Sequence, residues 1–275
     1  MGQSDVVRTQ VMGIVNVTPD SFSDGGRFRH IDDAIAHGMR LVAEGADIVD
    51  VGGESTRPGA EPVDSAEECD RVLPVVRELA AQGVTVSIDT RHAVTAERAM
   101  AEGARIINDV TGFVDPVLVR VAAATQARIV INHMPTDDPR TMQAHAEYGD
   151  VVGEVREFLA RRVDACRAAG VDDIVVDPGI GFGKTTEHNL ALLAALDRLG
   201  DIGRPVLVGV SRKRFIGELA GGAPPTERLG GTIAAGLAAV ARGASILRVH
   251  DVAAHVQALN VWHAISDVQR TPPDR

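Results

Sequence analysis

The chain has 275 residues, 45% of them hydrophobic and 24% charged, enough for a large core and too polar for membrane insertion. Lys and Arg total 28 against 38 Asp and Glu, a formal charge of -10, opposite in sign to the footprint that a duplex nucleic-acid binder lays on phosphates. Cys69 and Cys166 stand in no C-x-x-C or Cys/His spacing and read as buried or spare thiols of a reducing cytosol, with no structural zinc expected. Residues 1–10 lack an apolar signal core, so the expectation is a soluble, cytoplasmic protein that neither meets a membrane nor binds nucleic acid.

In chain order, short runs of Val, Ile and Leu alternate with Ala/Leu-rich stretches. A strand is predicted at 11–17, followed by a helix with Ile31, Ala34, Ile35, Gly38 and Val42 at helical spacing. After a strand at 47–52, Ser65-x-x-Glu68 reads as a capping box ahead of Val72, Val75 and Val76. Strands at 85–89 and 105–110 precede Asp115 and Pro116, an N-cap and first-turn proline for a helix over 117–124. A strand at 128–132 leads to a helix at 151–169, and a strand at 173–177 to one at 190–199. The strand at 205–210 is followed by a two-part helix, 213–219 and 226–242, broken by the Gly/Pro run at 221–225. A strand at 245–249 and a helix at 252–265 close the series. Gly45, Gly103 and Gly243 stand where helices should end in a left-handed turn.

Nearly continuous apolar runs belong to parallel strands buried on both faces. Eight βα units without a dinucleotide fingerprint predict an α/β protein built as one closed (β/α)8 TIM barrel, with a doubly wound sheet as runner-up. One domain over 1–275 is expected, with frayed ends at about 1–10 and 268–275. The Gly/Pro/Ser-rich loops at 18–29 and 54–65 would sit at the mouth, where loops act as lids.

In such a barrel the C-terminal tips of all strands converge. Here every tip is polar: Asn16, the stretch from Glu54, Asp89, Asn108 with Asp109, Asn132 with His133, Asp177, Ser211 to Arg214, and Arg248 to Asp251. Singly, an Asp or Asn at a strand end is more often a helix cap, an isolated Lys or Arg a solvated charge, and His133 or His250 a structural histidine. Together they would be costly to bury without a ligand.

Asp89, Asn108, Asp177 and Lys213 offer what the edge of a 2-amino-4-oxo pyrimidine needs: acceptors, an amide and a cation. Arg57, Arg212, Lys213, Arg214 and Arg248, with His250, would put positive charge round the same mouth, and Asn16 is a neutral oxygen suited to Mg²⁺ beside a phosphate. The run at 177–185 closes on Gly183, Lys184 and Thr185 but is no Walker loop, because Pro178 stands where its first glycine would. It is expected to hold Phe182 over the mouth as a stacking surface, or else as a cap on the core.

These segments resemble dihydropteroate synthases. The stretches that carry the resemblance are 12–26 (MGIVNVTPDSFSDGG), 50–59 (DVGGESTRPG), 87–90 (SIDT), 106–110 (IINDV), 177–184 (DPGIGFGK), 211–213 (SRK) and 248–251 (RVHD). The resemblance implies a folate-synthesis transferase that joins 6-hydroxymethyl-7,8-dihydropterin diphosphate to p-aminobenzoate with loss of pyrophosphate. It further implies Asp89, Asn108, Asp177, Phe182 and Lys213 at the pterin, and Asn16, Thr56, Arg57, Arg248 and His250 at the diphosphate, with Mg²⁺ on Asn16. Phe22, Thr56, Pro58 and Arg214 would meet p-aminobenzoate, which sulfonamides mimic, and Asp24, Arg57 and Lys213 would act in catalysis. A homodimer is implied as well. Two positions depart from the usual pattern: Arg214, where a serine is common, and Asn132-His133, where the family more often has Met-His.

Three other readings compete: a related pterin-binding methyltransferase domain, a Schiff-base aldolase using Lys213, and a non-catalytic pterin-binding homologue. The first should lack the 54–59 loop and the diphosphate set, and the last should have lost Asp24 or Arg57; all are present.

Overall fold

Strands buried on both faces need cover inside and out, and here they obtain it by closing on themselves. The computed structural model describes residues 8–18, 27–55, 63–136, 138–139 and 141–270, with backbone alone at 27–29 and 269–270. The strands are β1 (Gln10–Asn16), β2 (Ile48–Gly52), β3 (Val86–Asp89), β4 (Ile106–Asp109), β5 (Arg128–Asn132), β6 (Ile174–Asp177), β7 (Val206–Val208) and β8 (Ala244–Val249). All pair parallel in chain order, and β8 returns to β1 to close the barrel. Around it run α1 (Arg27–Ala43), α2 (Ser65–Ala81), α3 (Ala93–Ala101), α4 (Pro116–Thr125), α5 (Val151–Ala168), α6 (Thr186–Ala194), α7 (Arg214–Leu219), α8 (Leu229–Val240) and α9 (Val252–Arg270). The expected eight-stranded barrel is thus the observed fold.

Side chains alternate across a strand, and that parity positions the site. Met12, Ile48, Ile106, Val130, Val175, Leu207 and Ile246 form one buried cluster that fills the barrel, while their strand neighbours such as Val11, Val49, Ile107 and Ile129 pack against the helices. Two residues further on, the inward face becomes polar: Asp50, Asn108, Asn132, Asp177 and Arg248 stand above the apolar plug. Asn16 and Asp89 continue the same parity at the rim.

Several expected boundaries shift for local reasons. The N-cap of α2 is Asp64, whose Oδ1 accepts from Glu67 N at 2.8 Å, so Ser65-x-x-Glu68 is not the capping box. Glu68 is instead buried and accepts from Thr90 Oγ1 at 2.8 Å. A true reciprocal box occurs at Thr185 and His188, and it starts α6 four residues before the expected 190. Beyond Ala194 the chain tightens into a 3-10 turn over Leu196–Ile202. A short 3-10 turn at Pro225–Glu227 likewise delays α8 to Leu229. At the ends, β1 already begins at Gln10 and α9 runs past the expected 265 to Arg270. The cap at Asp115 is as expected, and Gly45, Gly103 and Gly243 all take positive φ.

Candidate active site

Arg248 is the hub of the polar layer. Its Nε donates to Asp50 Oδ2 and its Nη2 to Asp89 Oδ2, each at 2.6 Å, so one guanidinium from β8 ties together β2 and β3. Asn108 Nδ2 donates to the same Asp50 Oδ2 at 3.0 Å. Asp50 is fully buried, whereas the Asp89 and Arg248 side chains keep 24% and 21% of their surface open to the mouth. Burial raises the Asp89 carboxyl above the usual carboxylate range, Arg248 opposes the rise, and the carboxylates of Asp50, Glu68 and Asp109 add to it. Burial alone would lower the Arg248 guanidinium, but Asp50 and Asp89 reverse the sign, and it stays charged. Asp50 was missed in the sequence because it lies inside a strand and not at its tip. An acid in a strand buried on both faces must have a partner, and that signal was available.

Next to this hub stands the pair Asp177 and Lys213. Asp177 ends β6, is buried, and accepts from Gly179 N through Oδ1 at 2.7 Å. Burial lifts its carboxyl to about 6, against the pull of that hydrogen bond and of Lys213. Lys213 is the N-cap residue of α7, and burial lowers its ammonium to about 8, with Arg248 pushing the same way and Asp177 opposing. Its stem crosses Gly181, where a Cβ would come within 2.9 Å of Lys213 Cδ; the backbone there has φ of 82°. The ammonium rests 3.9 Å from the centroid of Phe182, a cation–π contact. Phe182 is also wedged against Val110, Met134 and Met142. Phe182 thus covers a small apolar cluster and lies beneath the Lys213 ammonium.

The rest of the tip set sorts differently from the sequence reading. His250 Nδ1 lies 2.9 Å from Ser211 Oγ, and burial, with Arg212 and Arg248, lowers the imidazole to about 4. It is neutral at pH 7 and adds no positive charge. Arg212 grips Asp251 through Nε and Nη2 at 3.1 and 2.6 Å, from a backbone at φ of 58°. Arg214 is 71% exposed and pairs with Glu218 along α7. Among the described cations expected to make a basic mouth, Arg248, Arg212 and Arg214 are thus already paired with acids. Asp109 points away from the mouth and accepts from Thr111 and Phe113, a structural turn. His133 faces outward as well: Lys184 Nζ sits 3.0 Å from its Nδ1, and Phe158 meets its ring edge-on.

Phe22, Asp24, Thr56, Arg57 and Pro58 lie outside the described residues. The base of their second loop is nonetheless anchored. Glu54 accepts from Arg91 Nε and Nη2 at 3.0 Å each and from Val63 N at 3.4 Å, so one carboxylate cinches both ends of the 54–63 stretch. Burial would raise that carboxyl, but His92 and Arg91 outweigh it and hold it at about 2.

Among the described residues no three His, Cys, Asp or Glu side chains gather as a metal cage. Asn16, a half-buried neutral oxygen at the end of β1, is a ligand of the expected kind. That donor set fits a hard cation that arrives with its own phosphate and water oxygens, and not a resident one.

Comparison with known proteins gives the class first: residues 12–250 match the family of pterin binding enzymes. A dihydropteroate synthase of Mycobacterium leprae is 50% identical over 96% of this chain and 98% of its own. A Xanthomonas albilineans dihydropteroate synthase solved with 4-aminobenzoic acid superposes at a TM-score of 0.89, with 50% identity over 94% of this chain and 93% of that one. The same enzyme in complex with 7,8-dihydropteroate gives 0.86 and 47%, over 94% of each chain. The chain belongs to the dihydropteroate synthase family.

Proposed function

We propose that the protein condenses 6-hydroxymethyl-7,8-dihydropterin diphosphate with p-aminobenzoate to give 7,8-dihydropteroate and pyrophosphate. The observation that carries this reading is the gathering of Asp89, Asn108, Asp177, Lys213 and Arg248 from five separate strand ends onto one mouth. Relatives solved with 4-aminobenzoic acid and with 7,8-dihydropteroate support it. A methyltransferase is not favoured by these comparisons.

Asp177, Asn108 and Asp89 bind the pterin's N–H edge, Lys213 its carbonyl side, and Phe182 walls the pocket. The bond between the pterin methylene and the diphosphate oxygen breaks with its electron pair leaving on pyrophosphate. The positive charge left on the methylene spreads into a ring held among carboxylates, which is electrostatic preorganisation and not nucleophilic catalysis. The arylamine nitrogen then forms the new C–N bond and releases a proton. Asn16, Thr56, Arg57, Arg248 and His250 hold the diphosphate, His250 as a neutral hydrogen-bonding group. Asn16 would hold Mg²⁺, which would supply charge neutralisation of the leaving group. Asp24 and Arg57 act with Lys213 in the chemical step, and Phe22, Thr56, Pro58 and Arg214 bound the p-aminobenzoate side, for which Arg214 must leave Glu218. The first two loops close over the mouth and exclude water, which would otherwise capture the cation.

The protein is further proposed to act as a homodimer in the cytoplasm; no helix among the described residues is long and apolar enough to cross a membrane. The deciding assay mixes the protein, the pterin diphosphate, p-aminobenzoate and Mg²⁺ and follows pyrophosphate and dihydropteroate together. Equimolar appearance of both, lost on chelation, is expected. Pyrophosphate without dihydropteroate, or neither, would overturn the proposal.

A further inference from the structure

Within the polar layer one side chain has been given no task. Asn132 ends β5 with the same inward parity as Val130, two residues below it in the barrel plug, and it is the register partner of Asp177 on β6. Its side chain is buried, 5% of the residue being exposed, and its Oδ1 has no hydrogen-bond partner. The donors round about are committed elsewhere. Gly179 N donates to Asp177, Asn108 Nδ2 to Asp50, and Lys184 Nζ to the carbonyls of His133 and Phe182.

Two other buried oxygens of this layer also lack partners, Asp50 Oδ1 and Ser87 Oγ, but both residues are fully buried and no ligand can reach them. Asn132 alone of the three keeps an opening, and it lies at the amide nitrogen, which makes no hydrogen bond among the described residues, since Oδ1 is itself sealed. Its oxygen is fitted tightly against the glycine loop: at Gly179, where φ is 67°, a Cβ would come within 2.7 Å of Asn132 Oδ1 and 1.9 Å of the His133 carbonyl. A buried amide that nothing in the fold satisfies is a cost to folding unless something else completes it.

We propose that Asn132 is a specificity-determining residue, whose amide hydrogen-bonds the ring edge of the pterin beside Asp177. The inference rests on the pterin reading of the mouth and deepens it: the amide nitrogen, a donor, extends the recognised edge beyond what Asp89, Asn108, Asp177 and Lys213 cover. A pocket with such a group rejects a flat ring of the same shape that lacks the matching atom, because the amide then stays unpaired.

The test is Asn132→Leu, close in volume and without polar atoms, read by calorimetry of pterin diphosphate binding and by thermal unfolding of the ligand-free protein. Binding is expected to weaken about 10-fold, with the melting temperature held or raised, since an unpaired polar group has been removed. Asn132→Met is the second variant, read in the same two ways. Pterin affinity within about twofold of wild type in both variants would overturn the inference while leaving the proposed reaction intact. A melting temperature that falls in step with affinity would also overturn it, as the mark of a structural residue. Failure of the wild-type protein to bind the pterin would instead sink the reading beneath it, and this inference with it.

Discussion

Asp177 at about 6 and Lys213 at about 8 bracket the pH at which both carry charge. Affinity for 6-hydroxymethyl-7,8-dihydropterin, which has no phosphate to titrate, should therefore rise from pH 5 to 7 as Asp177 loses its proton and fall above pH 8 as Lys213 loses its own. Asp177→Asn should flatten the acid side and weaken binding by about 10- to 100-fold, the usual worth of a charged hydrogen bond. Calorimetry across that range checks both, and a level profile for the wild type would contradict the assigned roles. At this scale the tips Asp89, Asn108, Asp177 and Arg248 were legible because barrel topology sends all strand ends to one place. What each touches was not. Arg248 turned out to face two acids, and Arg212 to hold Asp251, because such pairings join residues far apart in sequence and leave no local trace.

The element that most shapes the site is the loop from Gly179 to Thr185, held through its carbonyls. Gln143 Nε2 donates to Gly181 O at 3.1 Å, Lys184 Nζ to Phe182 O at 3.1 Å, and Tyr148 Oη to Gly183 O at 3.2 Å. Burial lowers the Lys184 ammonium to about 7, with Asp177 opposing. His133 Nδ1, His133 O and Phe182 O stand within hydrogen-bond reach of its nitrogen. Lys184→Met should leave two buried carbonyls without a donor, lowering stability by about 2–4 kcal/mol in urea unfolding and loosening the Phe182 platform, so that the KM for the pterin diphosphate rises more than that for p-aminobenzoate. Equal rises in both would argue against a role in placing Phe182. The sequence announced this loop by its glycines and excluded a phosphate loop by Pro178. It could not announce the grip, whose partners come from the stretch between β5 and α5. Helix starts were misplaced for a simpler reason: Asp64 and Thr185 cap as well as the residues favoured in the reading.

Across the whole molecule, period and composition were enough to read the barrel, since eight apolar runs with intervening helices have few other ways to hide both faces. Closure depends on more than apolar burial. Arg248 joins the last strand to the second and third, with Asp50 198 residues away in the chain and fully buried. Arg248→Met should strand that acid without a counter-charge, at a cost of about 3–5 kcal/mol. For a protein of this size, that is a fall in melting temperature on the order of 10 °C in the ligand-free state. Loss of pterin binding with an unchanged melting temperature would mean that the ion pair serves the ligand alone.

The cation that neutralises the mouth also sets a timetable for making the protein. On the ribosome, Asp50 and Asp89 emerge early and must wait for nearly the entire remaining message before residue 248 follows. A nascent chain halted after its seventh strand has carboxylates facing inward and no guanidinium to meet them. Premature termination there leaves Asp50 and Asp89 without the guanidinium that both contact in the finished barrel.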